Sequence, residues 1–137
     1  MSHRHQIRVR YGECDQQGVV YNPNYMVYMD DATEVWISSC APDGDYFSLG
    51  WDYMLVRSAI EWQGPARSGE ILSINTGIIR YGSSSFDVGY IGSVEERPVF
   101  TARAVCVSVR PETYEKYPTP ANIKAILGDV VDWEIPS

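Results

Sequence analysis

The sequence predicts a single α+β domain in which one long helix lies against an antiparallel sheet, and three observations carry that expectation. Its 137 residues suffice for one substantial core but not for two, so residues 1–137 are taken as one domain. Helical periodicity runs from about residue 23 to about residue 39. Period-two segments separated by Gly, Pro, Ser and acidic turns read as at least five strands.

In chain order, Ile7, Val9 and Tyr11 alternate with Arg8 and Arg10, marking a half-buried first strand over residues 5–11. His3 and His5 fall in a terminus expected to fray and are given no role. Cys14-Asp15-Gln16-Gln17-Gly18 is a polar turn with one carboxylate, and Gly18-Val19-Val20-Tyr21-Asn22-Pro23-Asn24-Tyr25 leads into the helix. Asn22 is expected to be its N-cap, accepting from a first-turn N–H, with Pro23 next, where no N–H is missed. Tyr25, Met26, Tyr28, Met29, Ala32, Val35 and Trp36 form the apolar stripe, with Asp30, Asp31, Thr33, Glu34 and Ser38 between them. The helix is roughly 25 Å long at 1.5 Å per residue, and Ala41-Pro42-Asp43-Gly44 stops it.

Tyr46 to Trp51 mixes aromatics with breakers and reads as an irregular or short helical segment over one end of the helix. Residues 53–63 form a long strand with Met54, Val56, Ser58, Ile60 and Trp62 on one face and Leu55, Arg57, Ala59, Glu61 and Gln63 on the other. Ile71 to Tyr81 is apolar on both faces, as a central strand should be. Gly82-Ser83-Ser84-Ser85 is a hairpin connection, Phe86, Val88 and Tyr90 alternate in the next strand, and Glu95-Glu96-Arg97-Pro98 turns into a last strand over 99–109. Four consecutive strands with short turns imply an antiparallel meander, the first strand being reached across the helix. Strands of about ten residues span on the order of 33 Å and twist enough to curl round what they cover. Ala121 to Gly128 predicts a short helix, followed by a loosely held tail.

A net charge of −7 argues against nucleic acid and against an anionic membrane surface, both of which need clustered Lys and Arg. Cys14, Cys40 and Cys106 are widely spaced with no C-x-x-C pair, which suggests neither a disulfide framework nor a zinc site and fits a reducing cytoplasm. No apolar h-region and no run of roughly 18 apolar residues is present, so a soluble, cytoplasmic protein without membrane partners, metal or cofactor is expected.

Strand, polar turn with a carboxylate, then a helix start whose N–H groups favour negative charge is an arrangement that serves acyl transfer, because an oxyanion needs donors and the reaction a base or nucleophile. Asp15 equally suits an Asx-turn. The segment Arg10-Tyr11-Gly12-Glu13-Cys14-Asp15-Gln16-Gln17-Gly18-Val19-Val20-Tyr21-Asn22-Pro23-Asn24-Tyr25 resembles the signature of the 4-hydroxybenzoyl-CoA thioesterase family. The similarity continues through Val56 to Trp62, Pro65-Ala66-Arg67 and the strand ending Val107-Ser108-Val109.

The resemblance implies a hot-dog fold, a long helix wrapped by a curved antiparallel sheet, and hydrolysis of an acyl-CoA; the ten Tyr and four Trp point to a short-chain or aromatic acyl group. It makes Asp15, in the D-x-x-G-x-V element, the catalytic carboxylate, acting as nucleophile or general base. Gly18 would allow close approach of substrate, and backbone N–H groups near Tyr21, Asn22, Asn24 and Tyr25 would form the oxyanion hole. Relatives carry His or Tyr where this chain has Asn22, so acid–base chemistry at that position is lost here while capping or hydrogen bonding survives.

Coenzyme A enters as part of the substrate, and its phosphates imply a basic rim for which Arg57, Arg67, Arg80 and Arg103 are candidates. The hairpin Arg80-Tyr81-Gly82-Ser83-Ser84-Ser85 offers hydroxyls and N–H groups where some relatives place basic residues. In the family the site forms between subunits, so a homo-oligomer, a dimer at least and a tetramer by expectation, is implied, with Ser58 or Glu61 as the polar residue of the second strand. These two alternate to opposite faces, so at most one points into the site. Two rivals stand beside this reading: a hot-dog dehydratase or hydratase, which normally uses a His that this chain lacks beyond residue 5, and a non-catalytic acyl-CoA or small-ligand binding protein on the same scaffold.

Overall fold

The computed structural model describes residues 3–137. Its strands are β1 (His3–Arg8), β2 (Asp52–Trp62), β3 (Ile71–Tyr81), β4 (Ser85–Val94) and β5 (Arg97–Val109), and its helices are α1 (Asn24–Cys40) and α2 (Ala121–Leu127). All strand pairs are antiparallel, and the sheet runs β1-β3-β4-β5-β2. The order corrects the expected four-strand meander: β3, β4 and β5 are consecutive neighbours, but β2 pairs with β5 at the far edge. Residues 63–70 make this possible by crossing from that edge past the start of α1, where Ala66 is fully buried and its carbonyl accepts from the Val20 amide at 2.9 Å. The connection then reaches the end of β1 through reciprocal bonds between Val9 and Gly69 and Glu70.

The sheet buries its inner face against α1, and Tyr28, Ala32 and Trp36 are buried as the stripe requires. Tyr25 sits edge-on to Phe100 at 5.2 Å and to Trp62 at 5.9 Å, aromatic geometry that adds to area burial. The helix face is rotated slightly from expectation. Val35 is exposed while Thr33 is buried, its hydroxyl donating to Met29 O at 2.9 Å and sharing a 2.6 Å bond with the Tyr90 hydroxyl. Those two bonds satisfy a hydroxyl that burial would otherwise penalise.

Three further expectations are corrected. β1 begins at His3 and ends at Arg8, and His3 and His5 are paired opposite Thr76 and Ile74 rather than frayed, with His5 Nε2 2.8 Å from Asp31 Oδ2 of the helix. Tyr11 leaves the strand for a 3₁₀ turn over Tyr11–Glu13 and is 86% exposed. In β2, a bulge between Leu55 and Arg57 shifts the register, so the alternation changes phase at Val56. Tyr53, Leu55, Ser58, Ile60 and Trp62 therefore lie opposite inward-facing residues of β5, and Met54, Arg57, Ala59 and Glu61 share the outer face.

The tail is not loosely held. The Val131 amide donates to Ile78 O at 2.8 Å, and Pro136 is buried, its carbonyl accepting from Arg103 Nε at 2.7 Å. A Cβ on Gly77 would meet Val131 at 3.1 Å and Trp133 at 3.2 Å, so the strap lies in a groove that only a missing side chain leaves. No helix among the described residues is long and apolar enough to cross a membrane.

Candidate functional site

Residues 14–20 form a tight reversal between β1 and α1. Cys14 bridges Val20, the Asp15 amide donates to Val19 O at 2.9 Å, and the Gly18 amide donates to Asp15 O at 3.0 Å. Gly18 has φ +76°, the left-handed conformation for which glycine carries no steric cost. Asp15 is exposed, and its Oδ1 accepts from the Gln17 amide at 2.8 Å, an Asx-turn. Among the described residues, Oδ2 has no hydrogen-bond partner. One oxygen thus fixes the loop while the other stays available.

The helix start differs from expectation. Pro23, not Asn22, occupies the capping position, no side chain caps the helix, and Asn22 is exposed. The tight turn of Pro23 lets backbone groups satisfy one another instead: Asn24 N–H donates to Tyr21 O at 2.8 Å, Tyr25 N–H to Asn22 O at 3.2 Å and Met26 N–H to Pro23 O at 3.1 Å. Tyr21 N–H donates to Glu13 O at 3.0 Å. Of the four amides expected as oxyanion donors, those of Tyr21, Asn24 and Tyr25 are therefore engaged. Among the described residues, the Asn22 amide donates to no acceptor.

Beside this amide is a cleft of about 370 Å³ lined by Val19, Val20, Asn22, Tyr25, Trp62 and Pro65. Its far wall comes from the end of β2 and the crossing segment, stretches that carry the family resemblance but whose Trp62 and Pro65 the sequence did not single out as site residues. Burial pushes the Tyr25 phenol up, so it stays neutral. A second cavity, about 310 Å³, opens between α1 and β2 against Met26, Asp30, Thr33, Tyr53, Ser58 and Cys106. Ser58 Oγ is buried there without a partner, and burial pushes the Cys106 thiol up to about 12, leaving it an inert apolar wall.

The remaining candidates scatter. Glu61 is exposed on the outer face, so of the Ser58–Glu61 pair only Ser58 faces a cavity. Arg57 donates to Ser137 O at 2.9 Å, and Arg103 is paired with Asp87 as well as with the tail. Arg80 Nη1 is 3.7 Å from Asp87 Oδ1. Gly82 N–H closes the hairpin on Ser85 O and Ser84 O accepts from the Ser108 amide of β5, while Ser83 is exposed.

This hairpin leaves the Tyr81 end of β3, whereas the Asp15 loop follows the end of β1 that pairs with Ile71. The two lie about 33 Å apart along one strand and do not meet within the chain. Arg67 is different: it bridges Val19, next to the Asp15 reversal, and its guanidinium makes no hydrogen bond or ion pair among the described residues. Glu13, which the sequence did not single out, accepts at both carboxylate oxygens and at its carbonyl. Among the described residues, no three His, Cys, Asp or Glu side chains converge as a metal site.

Comparison with known proteins agrees with this architecture. The solved 1,4-dihydroxy-2-naphthoyl-CoA thioesterase from Synechocystis superposes with a TM-score of 0.80 at 24% identity, covering 93% of this chain and 96% of that one. The 4-hydroxybenzoyl CoA thioesterase from Pseudomonas sp. strain CBS-3 gives 0.81 at 23% identity, covering 91% and 98%. Both likenesses establish the hot-dog fold. In sequence, a 1,4-dihydroxy-2-naphthoyl-CoA hydrolase of Synechococcus elongatus is 27% identical over 127 residues, 90% of this chain and 93% of the relative. The family described as the thioesterase-like superfamily matches residues 9–127, most of the chain and every element from the Asp15 loop to α2, and the chain belongs to that family.

Proposed function

We propose that the protein hydrolyses acyl-CoA thioesters with an aromatic acyl group, using Asp15 as nucleophile or general base and the Asn22 amide as an oxyanion donor. Family membership supports thioester hydrolysis, and the relatives named for 1,4-dihydroxy-2-naphthoyl-CoA and 4-hydroxybenzoyl CoA favour an aryl group over a short aliphatic one. The observation that carries the reading is the pairing of an exposed carboxylate, held by one oxygen only, with an undonated amide at the start of the same helix. A carbonyl carbon presented to Asp15 Oδ2 would develop negative charge on its oxygen, which the Asn22 N–H and the helix N-terminus stabilise. The cleft beside Trp62 and Tyr25 offers apolar walls to the group carried by that carbonyl.

Arg67 is the arginine we assign to the coenzyme A phosphates from the same protomer. Arg80 and the Gly82-Ser83-Ser84 hairpin reach a site only from a second protomer, so the reading includes a homo-oligomer, a dimer at least. The exposed Met54, Leu55 and Val56 on the unpaired edge of β2 supply an apolar, hydrogen-bonding surface for that contact. The strap across Gly77 covers part of the outer sheet face, which weakens the argument for a tetramer from a bare face. Three free cysteines suit a cytoplasmic setting.

The Asx-turn at Asp15 Oδ1 favours one second reading, a binding protein in which the carboxylate only shapes the loop. Thiol release from a panel of aryl and aliphatic acyl-CoAs, measured for wild type and Asp15→Asn, separates the two. Turnover of aryl thioesters lost in the variant is the expected result; binding of the whole panel without turnover favours the second reading.

A further inference from the structure

We propose that Glu13 is a positioning residue that sets the distance between Asp15 and the Asn22 amide, an inference that rests on the thioesterase reading above. The residue joins three segments at one point: the end of β1, the turn before Asn22 and the second turn of α1. Its Oε1 accepts from the Arg10 amide at 2.9 Å and from the Tyr28 hydroxyl at 3.0 Å, and Oε2 accepts from Arg10 Nη2 at 3.2 Å. Its carbonyl accepts from the Tyr21 amide at 3.0 Å and from Asn24 Nδ2 at 2.8 Å. The side chain therefore ties the end of β1 to the second turn of α1, and the carbonyl ties both to the residue before Asn22.

Two consequences follow from that geometry. Asp15 is two residues along the chain from Glu13, so the loop cannot move away from α1 without breaking the Tyr28 bond. Tyr21 N–H, which would compete with Asn22 N–H for an incoming oxyanion, is already spent on Glu13 O. The side chain thus anchors the loop that carries Asp15, and by holding that loop it keeps the backbone carbonyl of the same residue on the Tyr21 amide, leaving the Asn22 amide free. Catalysis depends steeply on such placement, a shift of 1 Å costing on the order of 100-fold. Glu13 touches no reacting atom and acts only through Asp15 and Asn22.

The test compares Glu13→Ala, Glu13→Gln and Tyr28→Phe with wild type and Asp15→Asn, in hydrolysis of 4-hydroxybenzoyl-CoA or whichever panel member turns over best and in amide hydrogen exchange. Gln keeps an oxygen where Oε1 stands, so Glu13→Gln retains kcat to within a few-fold. Glu13→Ala lowers kcat about 100-fold with KM little changed, and Tyr28→Phe lowers it on the order of tenfold. Exchange at Tyr21 is slow in wild type and accelerates in Glu13→Ala, while exchange in the β3–β5 core stays protected. Should Glu13→Ala not fold, Tyr28→Phe carries the test with its own smaller expected loss. Wild-type kcat in Tyr28→Phe, or equal losses in the Gln and Ala variants, overturns the positioning role. If Asp15→Asn loses turnover while Glu13→Ala and Tyr28→Phe keep the wild-type kcat, only this inference fails. If Asp15→Asn is fully active, or if no variant nor wild type hydrolyses any thioester while Tyr21 exchange ignores Glu13, both readings fall.

Discussion

The two ends of α1 are built on opposite rules. At the C-terminal end, polar groups are paired inside an aromatic wall: Glu34 Oε1 accepts from the hydroxyls of Tyr46 at 3.1 Å and Tyr53 at 3.0 Å, and buried Trp51 donates to Ser108 Oγ at 3.0 Å, which in turn shares a 2.7 Å bond with Thr119. At the N-terminal end, Asp15 and Asn22 are exposed, and Asp15 Oδ2 and the Asn22 amide have no partner among the described residues. A buried polar group left unpaired costs about 1–3 kcal/mol, whereas an exposed one bonds water at little cost. The first end therefore keeps these polar groups satisfied within the protein, and the second is stable with its groups open. Substitutions at the two ends should separate stability from rate.

The largest effect is expected at the closed end. Trp51→Ala should cost about 3–5 kcal/mol in chemical denaturation, with turnover per folded molecule nearly unchanged; a comparable loss of turnover would mean that the two ends are coupled. Asp15→Asn should do the converse. Its rate falls about 100-fold, equivalent to about 2.7 kcal/mol of barrier, while the denaturation midpoint holds because Asn keeps the bond from Gln17. Tyr53→Phe removes a donor to a carboxylate and should cost about 1.5 kcal/mol without changing kcat. Burial first and the Glu34 charge second push that phenol's titration well up, so the bond is made by a neutral donor throughout the working range.

Acidification sharpens the contrast. Glu13 is pulled up by burial, but hydrogen bonds from the Arg10 amide, the Tyr28 hydroxyl and the Arg10 guanidinium outweigh it and hold the carboxyl below its ordinary 4.5. Because the folded value is depressed, the stabilisation is present above pH 4.5 and is lost as pH falls through the lower folded value. Wild type should lose stability in that window relative to Glu13→Gln in acid titrations followed by circular dichroism. The smallest effect is expected for Asn22→Ala, within about 0.5 kcal/mol, against about 1 kcal/mol for loss of a true cap; thermal melts distinguish the two.

Periodicity made the helix, its stop at Ala41, the five strands and α2 legible, since burial on one face leaves its spacing in the chain. What escaped depends on contacts between distant residues. The bulge at Val56 has no composition marker, and a Met54–Trp62 alternation reads as unbroken until β5 imposes its register. Asn22 has the right chemistry for a cap, yet Pro23 is followed by a backbone turn that makes the side chain unnecessary. Asp15 and Gly18 were recognisable by spacing, whereas Glu13 and the Trp62–Pro65 wall act through partners that only the folded chain supplies.

The position of β2 also governs the order in which the domain can be completed. Trp51 and Ser108 are 57 residues apart in sequence, and β2 finds no strand until β5 has been made. At about 5–20 residues per second of synthesis, residues 52–62 spend seconds as an unpaired apolar segment while β3 and β4 form their own hairpin. Chains interrupted between residues 63 and 96 would carry that segment permanently, with an exposed edge that favours aggregation. A truncated product of this protein should accordingly be found in inclusion bodies or degraded, and not as a half-domain retaining the Asp15 loop.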